Sequence, residues 1–303
     1  MKVFLNGGLG FIGRRFIKKF SNQHDIIVCA LNKDILAFQG ESFLKNIIIE
    51  EGTTEGKEIL EVMAKHKPDV VIHLAALTGL KKCHEDPELA FKINVHGTFN
   101  VLTACAKHCS KFIFISSREV FGETINDKSK EDDPLLPNNV YGITKMIGEN
   151  LVKFFNEKYS LDFTILRLTN VYGPEGDQYG AQVIIKNAIK EKKITILGGK
   201  QRLNYVYADD VIDIINQVLD DEQSSKQIFN VGSNDTLSID EFSQKVLQLF
   251  DDKLEVEHMP MRDTETVDFE PSLEKIYKLL NYSPKTSILE GLQKTIEWYK
   301  QKI

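Results

Sequence analysis

Tyr141 and Lys145 stand four residues apart in Tyr141-Gly142-Ile143-Thr144-Lys145. On a helix that spacing puts both side chains on one face. A free tyrosine ionises near pH ~10 and is a poor base at neutrality. A lysine ammonium close by stabilises the phenolate and lowers that value. Ser117 ends the apolar run Lys111-Phe112-Ile113-Phe114-Ile115-Ser116-Ser117, where its hydroxyl can hold a substrate hydroxyl or carbonyl. The three together can take a proton from a sugar hydroxyl while a nicotinamide takes the hydride. A second group of residues serves that cofactor. Gly7, Gly10 and Gly13, with Phe11 and Ile12 between the last two, follow directly on the apolar segment Met1–Leu5. A pyrophosphate sits against the free N–H groups and positive end of a helix, and only glycine lets it approach closely.

These residues need strands and helices to carry them. Apolar runs read as strands over 1–6, 25–31, 46–50, 69–74, 111–116 and 162–168. Helical periodicity falls near 11–21, 57–66, 87–109 and 140–159. Such alternation predicts an α/β fold: a Rossmann-type, doubly wound parallel sheet covered on both faces. Its ligand crevice lies at the carboxyl ends of the strands. The strand over 69–74 ends there in Leu74-Ala75-Ala76, small residues that let a ligand approach, and the strand over 111–116 ends in hydroxyls. After about residue 175 glycines break the pattern. Short strands over 195–199, 203–207 and 227–232, with helices near 182–191, 209–220, 238–251 and 272–280, read as a smaller α+β lobe. We therefore expect a dinucleotide-binding domain over 1–174, joined by a returning segment near 205–232, and a substrate-binding lobe over 175–303.

The 303 residues suffice for one large domain or two modest ones. The net charge is −6 with Lys and Arg scattered, which argues against a nucleic-acid partner and carries no membrane signal. No apolar run approaches the roughly 20 residues a membrane span needs. Met1 opens directly into a strand, leaving no room for a signal peptide. Cys29, Cys83, Cys105 and Cys109 have no metal-type spacing, so no metal is expected, and they read as free thiols of a reducing, cytoplasmic protein.

The chain resembles the extended short-chain dehydrogenase/reductases, within them the NAD-dependent nucleotide-sugar epimerase/dehydratase branch. The matching stretches run almost end to end: Gly7–Gly13, Val71–Ala76, Asn94–Thr98, Ser116–Gly122, Tyr141–Lys145 with Glu149, Arg167–Pro174 and Asn230–Ser233. The resemblance implies that Gly7, Gly10 and Gly13 line the pyrophosphate, that Ala75 and Ala76 pack on the cofactor and that Asn94 lies near it. Ser117 and Tyr141 would flank the reacting sugar carbon, and Lys145 would also bond the nicotinamide ribose. Asn170 and Arg262 would meet the substrate diphosphate, Arg202 would reach it from a loop, and Thr78 would also bind the substrate.

Three departures bear on the reaction. The acid expected after the second strand is absent from Cys29-Ala30-Leu31-Asn32-Lys33-Asp34. Asn32 and Lys33 take that place, and NAD versus NADP stays open. Leu203-Asn204 stands where the family favours Arg-Asp, with Arg202 one position early, a step that reverses the face of a strand. Arg118 stands where dTDP-glucose dehydratases carry an aspartate, while Glu119 keeps the position of a catalytic glutamate in dehydratases and decarboxylases. The leading expectation is a nucleotide-sugar 4-epimerase working through a 4-keto sugar with Tyr141 as base. The alternatives are a dehydratase, decarboxylase or 4-reductase using Glu119, and a dinucleotide-binding sensor without turnover. Apolar residues on more than one face of the helices near 87–109 and 140–159 suit a homodimer, and the resemblance implies that these two helices pair across a two-fold axis into a four-helix bundle.

Overall fold

A computed structural model describes residues 1–109, 111–124, 127–176, 180–261 and 268–302. The strands are β1 (Lys2–Asn6), β2 (Asp25–Ala30), β3 (Ile48–Glu51), β4 (Val70–His73), β5 (Lys111–Ser117), β6 (Asp162–Leu168), β7 (Asn170–Tyr172), β8 (Lys193–Leu197), β9 (Arg202–Tyr207), β10 (Gln227–Val231), β11 (Thr236–Ser238) and β12 (Glu255–Met259). The helices are α1 (Phe11–Phe20), α2 (Asn32–Ala37), α3 (Glu58–His66), α4 (Leu80–Glu85), α5 (Pro87–Phe91), α6 (Gly97–His108), α7 (Val140–Tyr159), α8 (Ala181–Lys190), α9 (Ala208–Gln217), α10 (Ile239–Leu247), α11 (Glu274–Leu280) and α12 (Ile288–Lys302).

Seven strands form one sheet in the order β10-β6-β5-β4-β1-β2-β3. Every neighbouring pair is parallel. Parallel strands buried on both faces must be apolar along their whole length. Accordingly Val3, Leu5, Val28 and Ile72 pack with α1, α9 and α11 on one side. Phe4, Ile27, Cys29 and Val71 pack with α3, α6 and α7 on the other. The order reverses between β1 and β4, so the crevice opens there, where the glycine turn after β1 faces the loop after β4.

Gln227 to Val231 extend the main sheet beside Thr164 to Leu168, whereas residues 205–207, at the start of the expected returning segment, lie in β9 of a smaller sheet. The second lobe holds β7, β9 and β11 in one small sheet and β8 with β12 in another, over a core of Tyr172, Ile185, Tyr205, Phe242 and Leu292. The single helix expected over 87–109 is a continuous run interrupted by a π-helical turn, Lys92–His96. Helices α2, α4 and α12 exceed the expectation. The buried positions of α12, Ile288, Leu292, Ile296 and Tyr299, lie at helical spacing, a signal the reading above leaves unused.

Candidate active site

The glycine turn is shaped by close approach. Gly7 has φ 80°, and a Cβ there would lie 2.7 Å from the backbone of Ala75, so the loops after β1 and β4 touch directly. Leu74 and Ala75 both donate their amides to Asn6 O at 2.9 Å. A Cβ on Gly13 would collide with the backbone of Gly8, which seats α1 against the turn. Gly10 is the N-cap of α1, with no side-chain cap and no acid in the first turn. A Cβ at Gly10 would meet only Gly7 O, at 3.2 Å. The first amides of α1, those of Phe11 and Ile12 among them, thus have no side-chain cap, and the positive helix end lies behind them. That arrangement fits a dinucleotide pyrophosphate.

The proton-transfer residues converge from β5 and α7. Ser117 is half-buried at the end of β5, and its Oγ accepts the Glu119 amide at 3.2 Å. Tyr141, also half-buried, lies in the first turn of α7. Lys145 is buried one turn on, donating to Ile115 O at 2.8 Å, with Nζ 5.9 Å from the centre of the Tyr141 ring. Burial brings the Lys145 ammonium down to about 8, against the opposing charge of Glu149. Glu149 cannot give its charge wholly to Lys145. It is held bidentately by Arg167 at 2.9 and 2.8 Å and accepts Ser116 Oγ at 2.7 Å. This buried cluster locks α7 to β5 and β6, and the sequence offers only the residue types for it.

Asn94 is buried on the π-helical turn, a device often found at functional sites. It accepts Leu77 N at 2.7 Å and donates to Leu77 O and Thr144 Oγ1 at 3.0 Å each. It therefore ties the loop after β4 to the helix of Tyr141 and Lys145. His73 receives Asn6 Nδ2 and bonds Thr98 Oγ1, each at 2.9 Å. Burial first, then the charge of Lys145, holds its imidazole down to about 3, so it is neutral and structural.

Glu119 is buried and fully engaged. Oε1 pairs with Arg118 Nη2 at 2.7 Å and Oε2 accepts Asn139 Nδ2 at 2.8 Å. On the lobe side, Asn170 begins β7 and donates to Asn204 O at 2.9 Å. Thr78 lies half-buried in the loop after β4. Arg202 is exposed at the start of β9, whereas Asn204, two residues on, donates inward to Ser233 O and Thr236 Oγ1. Arg262 lies outside the described residues. Beyond β2, Asn32 Nδ2 donates to Glu51 Oε2 at 2.9 Å. Glu51 ends β3 opposite Ala30. An acid thus reaches the end of β2 from the next strand, which no pattern along one segment discloses. Lys33 is exposed beside it.

The sequence matches the family described as NAD dependent epimerase/dehydratase over residues 3–232. Human dTDP-D-glucose 4,6-dehydratase is 29% identical over 321 residues, spanning 99% of this chain and 90% of that protein. The UDP-glucose 4-epimerase of Thermotoga maritima, solved with UDP-glucose, superposes with a TM-score of 0.92 at 27% identity over 100% of this chain and 99% of that one. The UDP-glucose 4-epimerase of Thermus thermophilus, solved with NAD, gives 0.91 at 25% identity over 100% of each.

Proposed function

The chain belongs to the NAD dependent epimerase/dehydratase family, and from that premise we propose that it is a nucleotide-sugar 4-epimerase working through a 4-keto sugar. It is an enzyme of the NAD-dependent nucleotide-sugar class. NAD held at the glycine turn would supply the reversible hydride chemistry. The chain's own residues do the rest. The turn at Gly7, Gly10 and Gly13, with the amides of Phe11 and Ile12, holds the pyrophosphate. Ala75 and Ala76 give it a flat wall after Leu74, and Asn94 braces that loop. Asn32, with Glu51 behind it and Lys33 alongside, receives the adenine ribose. An acid at that place favours free ribose hydroxyls over a 2′-phosphate.

Tyr141 takes the proton from the C4 hydroxyl and returns it once the keto sugar has turned over. Ser117 holds the same oxygen: its Oγ accepts the Glu119 amide and keeps its own proton to donate. Lys145 keeps a positive charge under the phenolate. Thr78, from the loop after β4, and Asn170 and Arg202, from the lobe side, serve the sugar nucleotide, and Arg262 supplies a further guanidinium of the kind that suits phosphate oxygens. The observation that favours epimerisation over dehydration or decarboxylation is the state of Glu119. Both its oxygens are taken by Arg118 and Asn139. A glutamate working as acid or base on the sugar would have to act through an oxygen that already accepts one of these bonds.

The division of labour we propose is cofactor binding by 1–174 with the strand at 227–231, and substrate binding by 175–303. We propose a homodimer as well. Leu89, Phe91, Phe99, Phe154 and Tyr159 expose 37% to 54% of their surface along α5 to α7, an apolar face suited to a second copy. Four free cysteines suit a reducing cytoplasm. Among the described residues no helix is long and apolar enough to cross a membrane.

Two measurements test the reaction. Mass spectrometry of small molecules released on denaturation identifies NAD retained through purification. NMR of UDP-glucose incubated with the enzyme distinguishes a C4 epimer from a 4-keto-6-deoxy sugar. Formation of the latter, or retention of activity by Tyr141→Phe, refutes the proposal.

A further inference from the structure

We infer that Glu119 is a positioning residue, which fixes Tyr141 against Ser117 through Asn139 and takes no part in proton transfer. Glu119 touches Ser117 on one side and the first turn of α7 on the other. Its amide donates to Ser117 Oγ at 3.2 Å. Its carboxylate accepts Asn139 Nδ2 at 2.8 Å, and Asn139 Oδ1 accepts the Gly142 amide at 2.8 Å as the N-cap of α7. Gly142 follows Tyr141 directly. The Glu119 carbonyl lies so close to Gly142 that a Cβ there would collide with it. One residue thus spans from the hydroxyl on β5 to the helix turn that carries the tyrosine.

The residue types are those the task requires. Ser, Thr, Asp and Asn all cap helices through an oxygen. Of these, only Asn carries its acceptor and its donor on separate atoms, so that it can take the helix amide on one and give to a carboxylate from the other. Arg118 Nη2 holds the other oxygen at 2.7 Å, with its guanidinium beside the Phe269 ring, so the carboxylate has an anchor on each side. Arg118 and Glu119 are each 6% exposed, and a buried pair that loses one member leaves an uncompensated charge. Truncating Glu119 would therefore lower activity in an epimerase too, and loss of rate in Glu119→Ala does not identify an acid or base.

The inference rests on the proposed reaction for its turnover assay, so the test has a second arm without substrate. Glu119→Gln, Asn139→Ser and the double variant form a cycle; serine keeps the cap and drops the link to Glu119. With UDP-glucose as substrate, each single variant should lose about tenfold in kcat with KM within about twofold, since small misplacements act on the transition state. The double variant should lose no more than the worse single, because both break one path. Without substrate, ultraviolet difference titration against Tyr141→Phe reports Tyr141 ionisation, and its midpoint should move equally in all three variants. A loss in Glu119→Gln of about a thousandfold with Asn139→Ser near wild type would assign proton transfer to Glu119 and overturn the inference. So would unmoved Tyr141 midpoints. Absence of turnover by the wild type sinks the proposed function alone, and the titration still decides the role of Glu119.

Discussion

Lys145 carries a charge that the fold does not favour. Burial brings its ammonium from 10.5 to about 8, the charge of Glu149 offsetting only part of the desolvation. That displacement corresponds to about 3 kcal/mol between the charged and neutral forms. Below pH 8 the lysine is protonated in both folded and unfolded chains, and the full penalty is present. Between 8 and 10.5 only the unfolded chain keeps the proton, so this group lets stability rise with pH. Lys145→Met keeps the volume and removes the charge. It also loses the 2.8 Å bond to Ile115 O, worth about 1 kcal/mol. The cofactor-free variant should therefore be more stable than wild type at pH 7 by about 2 kcal/mol in urea unfolding. The gap should shrink to within about 1 kcal/mol by pH 10 as the folded wild type sheds its proton. Catalysis should be lost throughout. A variant no more stable than wild type at pH 7, or a gap that ignores pH, refutes the reasoning.

The same titration sets an alkaline limit on activity: kcat/KM should fall as pH rises through about 8, where the free enzyme loses the Lys145 charge beneath Tyr141, and a profile still rising at pH 9 contradicts this. Arg167→Met strands Glu149, which has 0% side-chain exposure, and should cost about 3–5 kcal/mol of unfolding free energy. Most of that should return in Arg167→Met/Glu149→Leu, measured by denaturant titration. Glu51→Lys replaces the acid bonded to Asn32 with a cation. Calorimetry should show NAD affinity falling and NADP affinity rising, by about tenfold in their ratio, and an unchanged ratio excludes Glu51 from ribose recognition.

Much of the architecture is local in origin and legible along the chain. Buried parallel strands are mostly apolar, as Val70, Val71 and Ile72 of β4 are, and α1 must follow a glycine turn, so strand, turn and helix announce themselves by composition and period. Tyr141 and Lys145 share a face because a helix turns every 3.6 residues. The return of Gln227–Val231 to the main sheet was likewise readable as one more strand. What the sequence leaves undecided depends on neighbours far apart in the chain. Arg167 meets Glu149 across 18 residues, and Glu51 reaches Asn32 across 19 from an adjacent strand. Glu119 carries the same letter whether it serves as an acid or as a brace. Only packing, which sets Arg118 on one oxygen and Asn139 on the other, separates the two roles, because a carboxylate's chemistry is set by the donors around it.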